Sequence, residues 1–102
     1  MSTDASEIVL DQKIEKNVKK PDKYKVIIYN DNETPYDWVA AILVKIFNHS
    51  REVAIRLTEE VSKNGECIAG IYSYEIAEHK SAEAISLSRS NGFPLEINIE
   101  KA

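Results

Sequence analysis

The stretch YKVIIYNDNETPYDWVAAILVKIF, residues 24–47, contains a strand pattern, a polar turn and a helix pattern in direct succession. Its first part, YKVIIY, is short, β-branched and aromatic, which is typical of a strand. Thr34 then offers an oxygen as N-cap, and Pro35 is favoured at the first position of a helix. Apolar side chains follow at helical spacing, at Val39, Ile42, Leu43, Ile46 and Phe47. The stretch therefore predicts a strand that turns sharply into an amphipathic helix.

Four further patterns follow along the chain. A second helix is expected between Ser50, a capping residue, and Gly65, a natural C-terminal stop. The segment ECIAGIYS predicts a second strand. A third helix is expected after its cap, Ser73, with a face of small residues at Ala77, Ser81, Ala84 and Ser88. The alternating segment LEINIE completes the order β-α-α-β-α-β, which predicts an α+β sandwich with three helices packed on one side of a three-stranded antiparallel sheet.

Length and composition limit the class of protein. A chain of 102 residues with 43% apolar content suffices for one domain with a single core. The net charge of -4 argues against nucleic-acid binding, which needs a basic surface. The single cysteine, Cys67, leaves no internal disulfide and fits a reducing compartment such as the cytoplasm. No apolar run approaches the roughly 20 residues of a membrane span, and the acidic N-terminus does not resemble a secretory signal.

The composition changes near Pro21. Residues 1–22 are mostly charged or small and have one short apolar cluster, Ile8 to Leu10. We expect them to form a mobile extension, and residues 23–102 to form the folded core as a monomer. A frayed terminus without a role is the commoner case for such segments, and docking on a partner through the apolar cluster is the alternative.

The residues give little support for catalysis or for a metal site. The three glycines are isolated, so there is no phosphate-binding loop. His49 and His79 lie on different predicted elements, and Cys67 is flanked by apolar residues as a buried structural thiol would be. The acidic turn departs from a calcium-binding EF-hand because Pro35 and Tyr36 stand where a ligand and a glycine are needed. We therefore expect no enzymatic activity, no cofactor and no metal.

The polar turn itself is the best candidate for a binding site. Asn30, Asp31 and Asn32 bring side-chain oxygens together, and an ammonium group needs such acceptors beside a negative charge. An apolar pocket could lie next to them, lined at helical spacing by Thr34, Tyr36 and Val39. A peptide N-terminus with a large first side chain would fit both parts. Because Asn and Asp are also common in plain turns, the residues alone leave both interpretations open.

The segments YKVIIYNDNETPYDWV, GECIAGIYSYEIAEHK and PLEINIEKA together resemble the ClpS family. These proteins are adaptors that deliver N-end-rule substrates to a Clp AAA+ unfoldase and its partner peptidase. The resemblance runs in register from about Tyr24 to Ala102 and implies the same order of elements. It implies that substrates begin with Leu, Phe, Tyr or Trp, that this side chain enters an apolar pocket, and that oxygens at the pocket mouth hold the free α-amino group.

The resemblance also implies roles for individual residues. Asn30, Asp31 and Ser62 match the positions that hold the α-amino group. The side-chain pocket is implied to be formed by Asn32, Thr34, Pro35, Tyr36, Val39, Thr58, Val61 and Leu95. Glu75 and Lys80 match the charged pair that docks on the N-terminal domain of a ClpA- or ClpC-type unfoldase. The segment before the core matches the extension that engages the unfoldase during hand-off.

Four positions depart from the family pattern. Ser62 stands where a histidine is usual, Thr58 and Tyr36 stand where methionines wall and rim the pocket, and Asn32 replaces a frequent aspartate. They predict a weaker or altered first-residue preference. The alternative is a modulator of the unfoldase whose N-degron pocket has decayed. The C-terminal domain of a ribosomal stalk protein shares the fold class only generally, since it lacks the N-D-x-x-T-P turn.

Overall fold

The computed structural model describes residues 21–102. It contains, in chain order, β1 (Tyr24–Tyr29), α1 (Tyr36–Lys45), α2 (Arg51–Asn64), β2 (Glu66–Tyr72), α3 (Tyr74–Ser90) and β3 (Glu96–Lys101). β1 is the central strand, and β2 and β3 pair with it on either side, both antiparallel. The predicted α+β architecture and element order are confirmed. The predicted extension, residues 1–22, lies outside the described residues except for its last two.

The core lies between the helices and one face of the sheet. Val26 and Ile28 of β1 are fully buried, and Cys67 and Ile97 pair with Ile28 from the two neighbouring strands. Because side chains alternate along a strand, these residues share the face that the helices cover. The buried cluster also contains Val39, Ile42, Leu43, Ile46, Phe47, Ala54, Val61, Ala69, Ala77, Ala84 and Leu95. The regularly spaced apolar side chains of α1 thus face the core, as the sequence predicts.

The helix ends of α2 follow the sequence closely. Ser50 Oγ accepts a hydrogen bond from the Val53 amide at 3.2 Å, as an N-cap does. At the other end Gly65 adopts a left-handed conformation with φ of 91°, which a residue with a side chain rarely adopts. Ser73 occupies the N-cap position of α3, as predicted, but its side chain makes no capping hydrogen bond.

The predicted start of α1 is wrong by one residue. The helix begins at Tyr36, and Pro35 occupies the N-cap position without a side-chain hydrogen bond. Thr34 does not cap the helix; its hydroxyl donates to the Asp31 carboxylate instead, at 2.7 Å from Oδ2. This charge-assisted hydrogen bond orients the Thr34 side chain toward the Asp31 carboxylate within the turn.

The small-residue face of α3 packs against the sheet and against α1. Ala77, Ser81, Ala84 and Ser88 are all buried, as predicted. Ser88 Oγ donates to the Ala84 carbonyl at 2.7 Å and accepts from Trp38 Nε1 at 2.8 Å, which joins α1 to α3. Among the described residues no helix is both long enough and apolar enough to cross a membrane.

Candidate functional site

The turn between β1 and α1 is organised by one carboxylate. Asp31 Oδ1 accepts from the Glu33 amide at 2.8 Å and from the Thr34 amide at 2.7 Å, while Oδ2 accepts from the Thr34 hydroxyl. Partial burial acts to raise the pKa of Asp31, but these three hydrogen bonds favour the charged form and together lower the pKa below its ordinary value. The turn therefore holds an ionised, oriented carboxylate at neutral pH.

The turn is attached to the C-terminal end of α2. The Asn30 amide donates to the Gly65 carbonyl at 2.9 Å. Ser62 lies on the last turn of α2 and is exposed, as are Asn30 and Asn32. The structure thus brings the predicted α-amino ligands, Asn30, Asp31 and Ser62, to the same end of the molecule.

The predicted apolar pocket residues are part of the core behind this turn. Val39, Thr58, Val61 and Leu95 each expose at most 5% of their surface. The Thr58 hydroxyl donates to the Ala54 carbonyl at 2.7 Å, so its polarity is satisfied within α2. In this conformation these four side chains are almost completely closed to solvent, so they form at most a small open pocket.

Tyr36 lies at the rim of the predicted pocket and crosses from α1 to α2. Its side chain is 43% exposed, and its hydroxyl donates to the Ile55 carbonyl at 3.4 Å. The pKa of Tyr36 is raised by desolvation and by the negative charges of Glu59 and Asp37. Among the other rim residues, Pro35 is exposed and Thr34 is half-buried.

A groove that the sequence analysis missed begins at the same tyrosine. It lies between α1 and α2, has a volume of about 510 Å³, and is lined mainly by Tyr36, Ala40, Ala41, Val44, Ala54 and Ile55. The available signal was the pair of alanines on α1 beside the exposed aliphatic residues Val44 and Ile55. Only the packing of the two helices shows that these residues face each other.

The predicted docking residues, Glu75 and Lys80, line a shallow depression between α3 and the C-terminal end of α1, where it shares Lys45 with the groove. Lys80 Nζ donates to the Ile46 carbonyl at 2.7 Å and lies 5.5 Å from the centroid of the Tyr72 ring. The lysine therefore caps the C-terminal end of α1, whereas the Glu75 side chain is exposed. Both residues share one surface, but part of the hydrogen-bonding capacity of Lys80 is used inside the domain.

Two of the residues considered for catalysis or metal binding, His49 and Cys67, are hydrogen-bonded or buried within the domain. A His49 ring nitrogen is hydrogen-bonded to the Ala69 carbonyl. Cys67 is buried, and desolvation, together with the nearby charges of Glu60 and Glu66, raises the pKa of its thiol to about 12. Residues 21–102 contain no group of three His, Cys, Asp or Glu side chains that could hold a metal ion.

An α+β sandwich that presents an ordered polar turn at the junction of two helices is the architecture of a small binding module. A model of the family described as "ATP-dependent Clp protease adaptor protein ClpS" matches residues 19–98. The chain therefore belongs to the ClpS family of Clp protease adaptor proteins, and the predicted family is confirmed.

Individual relatives agree with this assignment. The ClpS adapter of Treponema denticola is 43% identical over 82 residues, which cover 80% of this chain and 81% of the relative. The ClpS adapter of Caulobacter vibrioides is 40% identical over 88 residues, covering 86% and 81%. The solved structure of Agrobacterium tumefaciens ClpS2 bound to L-phenylalaninamide is similar with a TM-score of 0.78 and 31% identity, over 81% of this chain and all of that chain.

Proposed function

We propose that this adaptor binds proteins through a free α-amino group and a bulky apolar first residue, and delivers them to a Clp AAA+ unfoldase and its peptidase for degradation. The observation that carries the proposal is the ordered Asp31 carboxylate next to the exposed Asn30. L-phenylalaninamide, the ligand of the similar ClpS2 structure, has the same two features, a free α-amino group and an aromatic side chain.

Three residues are proposed to hold the ammonium. Asn30 supplies an amide oxygen as a direct acceptor, and Ser62 supplies a hydroxyl, directly or through a water. Asp31 already accepts three internal hydrogen bonds, so it supports the ammonium chiefly through its charge. An acetylated N-terminus has neither the charge nor the donors that this arrangement requires.

The first side chain is proposed to enter between Tyr36 and the core residues Val39, Thr58, Val61 and Leu95, with Asn32, Thr34 and Pro35 at the rim. Since those core residues are nearly closed to solvent, the pocket has to open for a side chain to enter, and Tyr36 is the residue proposed to move. Its only hydrogen bond in the described part of the chain, to Ile55, is long at 3.4 Å, so rotation of the ring loses little energy. Tyr36 thus acts as a gate to the pocket.

The N-terminal domain of a ClpA- or ClpC-type unfoldase is the proposed partner. The exposed Glu75 and the neighbouring Lys80 offer a charged pair on a surface away from the turn. Residues 1–22 are proposed to engage the unfoldase during hand-off, in the cytoplasm.

A second candidate function is modulation of the unfoldase with altered or weakened N-degron specificity. Two observations favour it: Ser62 has a shorter reach than the histidine usual in the family, and the predicted pocket residues Val39, Thr58, Val61 and Leu95 are nearly closed to solvent. Pull-down with the unfoldase, compared with peptide binding, separates the candidates. A modulator binds the unfoldase normally but binds no N-terminal peptide.

Fluorescence anisotropy tests the proposed function directly. A peptide that begins with phenylalanine should bind, and the same peptide with an acetylated N-terminus should not. A series that begins with leucine, tyrosine, tryptophan, methionine and valine measures the first-residue preference. Equal binding of the free and acetylated peptides would refute ammonium recognition.

Replacing Ser62 by histidine tests the role of this position. Because Ser62 is exposed, Ser62→His should be accepted without strain and add an acceptor for the ammonium. One charge-assisted hydrogen bond contributes about 1.5–3 kcal/mol, so the affinity for a phenylalanine-initiated peptide should rise roughly tenfold or more. Ser62→Ala serves as the control. Unchanged affinity in both variants would remove Ser62 from the site.

A further inference from the structure

The groove between α1 and α2 shares Tyr36 with the proposed first-residue pocket, but its other lining residues are not among those assigned to that pocket. Its walls are apolar, and Val44 and Ile55 each expose 38% of their surface. The alanines Ala40 and Ala41 leave space between the two helices, so the exposed aliphatic side chains border a concave surface. Concave apolar surfaces that are bordered by charge are common binding sites for polypeptide segments.

We propose that this groove binds the extended segment that follows the first residue of a substrate, and that it favours an acidic side chain near the fifth position. The inference rests on the proposed function, because it takes the first residue to be held at Asn30 and Asp31.

Continuity with the candidate site supports the proposal. Tyr36 is at once a rim residue of the side-chain pocket and the end wall of the groove, and its hydroxyl contacts Ile55 on the opposite wall. A polypeptide that leaves the pocket past Tyr36 therefore arrives at the groove without crossing another element.

The length of the groove determines which substrate residue reaches its far end. α1 runs from Tyr36 to Lys45, which corresponds to about 13.5 Å along the helix axis. An extended chain advances about 3.3 Å per residue, so about four residues span this distance. If the first residue lies beside Tyr36, the fifth lies beside Lys45.

The charge along the groove changes sign from one end to the other. Asp37 lies at the Tyr36 end, whereas Lys45 and Arg51 lie at the far end. Both cations are exposed, so their interaction with a substrate carboxylate is a solvated one of modest strength. Such pairs select between sequences more than they add affinity.

The test uses the full chain and three peptides that begin with phenylalanine and differ only at the fifth position, which is glutamate, alanine or lysine. Anisotropy should show glutamate binding about two- to fivefold more tightly than lysine, the range of an exposed ion pair. Arg51→Glu should abolish or reverse this order. The variant is not expected to unfold α2, because a negative charge at the first helical residue is favourable.

Two further variants keep the outcome unambiguous. Arg56→Glu makes the same charge change on the same helix at an exposed residue that does not line the groove, so it should preserve the preference. Ala41→Leu should fill the groove and reduce the affinity of a six-residue peptide to that of phenylalaninamide. Equal affinities of the three peptides for the unmodified chain, or equal effects of Arg51→Glu and Arg56→Glu, would overturn the inference. If those peptides still require a free α-amino group, the proposed function stands without it.

Discussion

Asp31 determines the shape of the turn at the scale of a single residue. Its carboxylate accepts hydrogen bonds from the amides of Glu33 and Thr34 and from the Thr34 hydroxyl. The same bonds that order the turn also keep the carboxylate ionised, because each stabilises the charged form. Local structure and electrostatic function therefore depend on one set of interactions.

Peptide binding should depend on the protonation state of two groups, the α-amino group of the peptide and the Asp31 carboxylate. A peptide α-amino group has an ordinary pKa of about 7.7–8.0, so affinity should fall about tenfold per pH unit above roughly pH 8. The pKa of Asp31 is lowered, so its stabilisation of the turn is fully present above its ordinary value of 3.8 and is lost only as pH falls through the lower folded value. Anisotropy from pH 3 to 10 with a histidine-free peptide measures both limits.

Asp31→Asn distinguishes the two limits. This substitution should weaken binding at neutral pH. It should also abolish the loss of affinity at low pH that protonation of Asp31 causes, while the loss of affinity above roughly pH 8 remains. Fluorescence of Trp38, the single tryptophan, checks that the fold persists at each pH. An affinity that does not change between pH 7 and 10 would mean that the ammonium is not recognised.

On the α3 helix, two buried serines should respond in opposite directions to the same substitution. Ser88 Oγ accepts from Trp38 Nε1, so Ser88→Ala leaves a partly buried donor unpaired and should lower the free energy of unfolding by about 1–3 kcal/mol. Ser81 Oγ is buried without a hydrogen-bond partner in the described part of the chain, so Ser81→Ala should raise that free energy by about 1 kcal/mol. Urea unfolding followed by circular dichroism measures both. Two changes of the same sign would show that the hydrogen bonds do not decide the outcome.

Substitutions of the charged pair on α3, Glu75 and Lys80, distinguish an effect on stability from an effect on partner binding. Lys80→Met removes the ammonium from the Ile46 carbonyl at the end of α1 and should lower the free energy of unfolding by about 1–2 kcal/mol. Glu75→Gln changes an exposed side chain and should alter that free energy by less than about 0.5 kcal/mol.

Calorimetric titration with the unfoldase N-terminal domain completes this test. Both variants should bind more weakly if the pair docks on the partner. Glu75→Gln is the decisive variant because it should leave the fold intact. If this variant binds the unfoldase domain normally, Glu75 is not part of the docking surface.

The elements of this fold are predictable from sequence because their signals are local. Apolar spacing, Ser50 and Gly65 place the helices to within a few residues. The start of α1 is misplaced because a Thr34 hydroxyl could either cap the helix or bond within the turn, and only the folded turn shows that it donates to Asp31. The contact of Lys80 with Ile46 joins residues 34 positions apart, so no local pattern indicates it. The resemblance predicts which residues line a pocket, but it does not indicate that Val39, Thr58, Val61 and Leu95 are nearly closed to solvent.

At the scale of the whole molecule, the sheet and the helices share one core, so opening any part of it should expose the residues at its centre. Cys67 lies on β2 opposite Ile28 of the central strand and is only 2% exposed. β2 is an edge strand, yet its thiol faces the helices. The reactivity of this thiol therefore reports how often the core opens.

The Cys67 thiol should be almost unreactive in the native protein. Its pKa is raised from 9.0 to about 12 by desolvation first and by Glu60 and Glu66 next, which lowers the thiolate fraction near neutral pH by about a thousandfold. Labelling by an aromatic disulfide reagent should thus be at least that much slower than in denaturant. If labelling proceeds through global unfolding, Ser88→Ala should accelerate it by the factor that its loss of unfolding free energy predicts, about fivefold per kcal/mol. Fast labelling, or a rate that Ser88→Ala leaves unchanged, would instead show that β2 separates locally from β1 while the rest of the core stays closed.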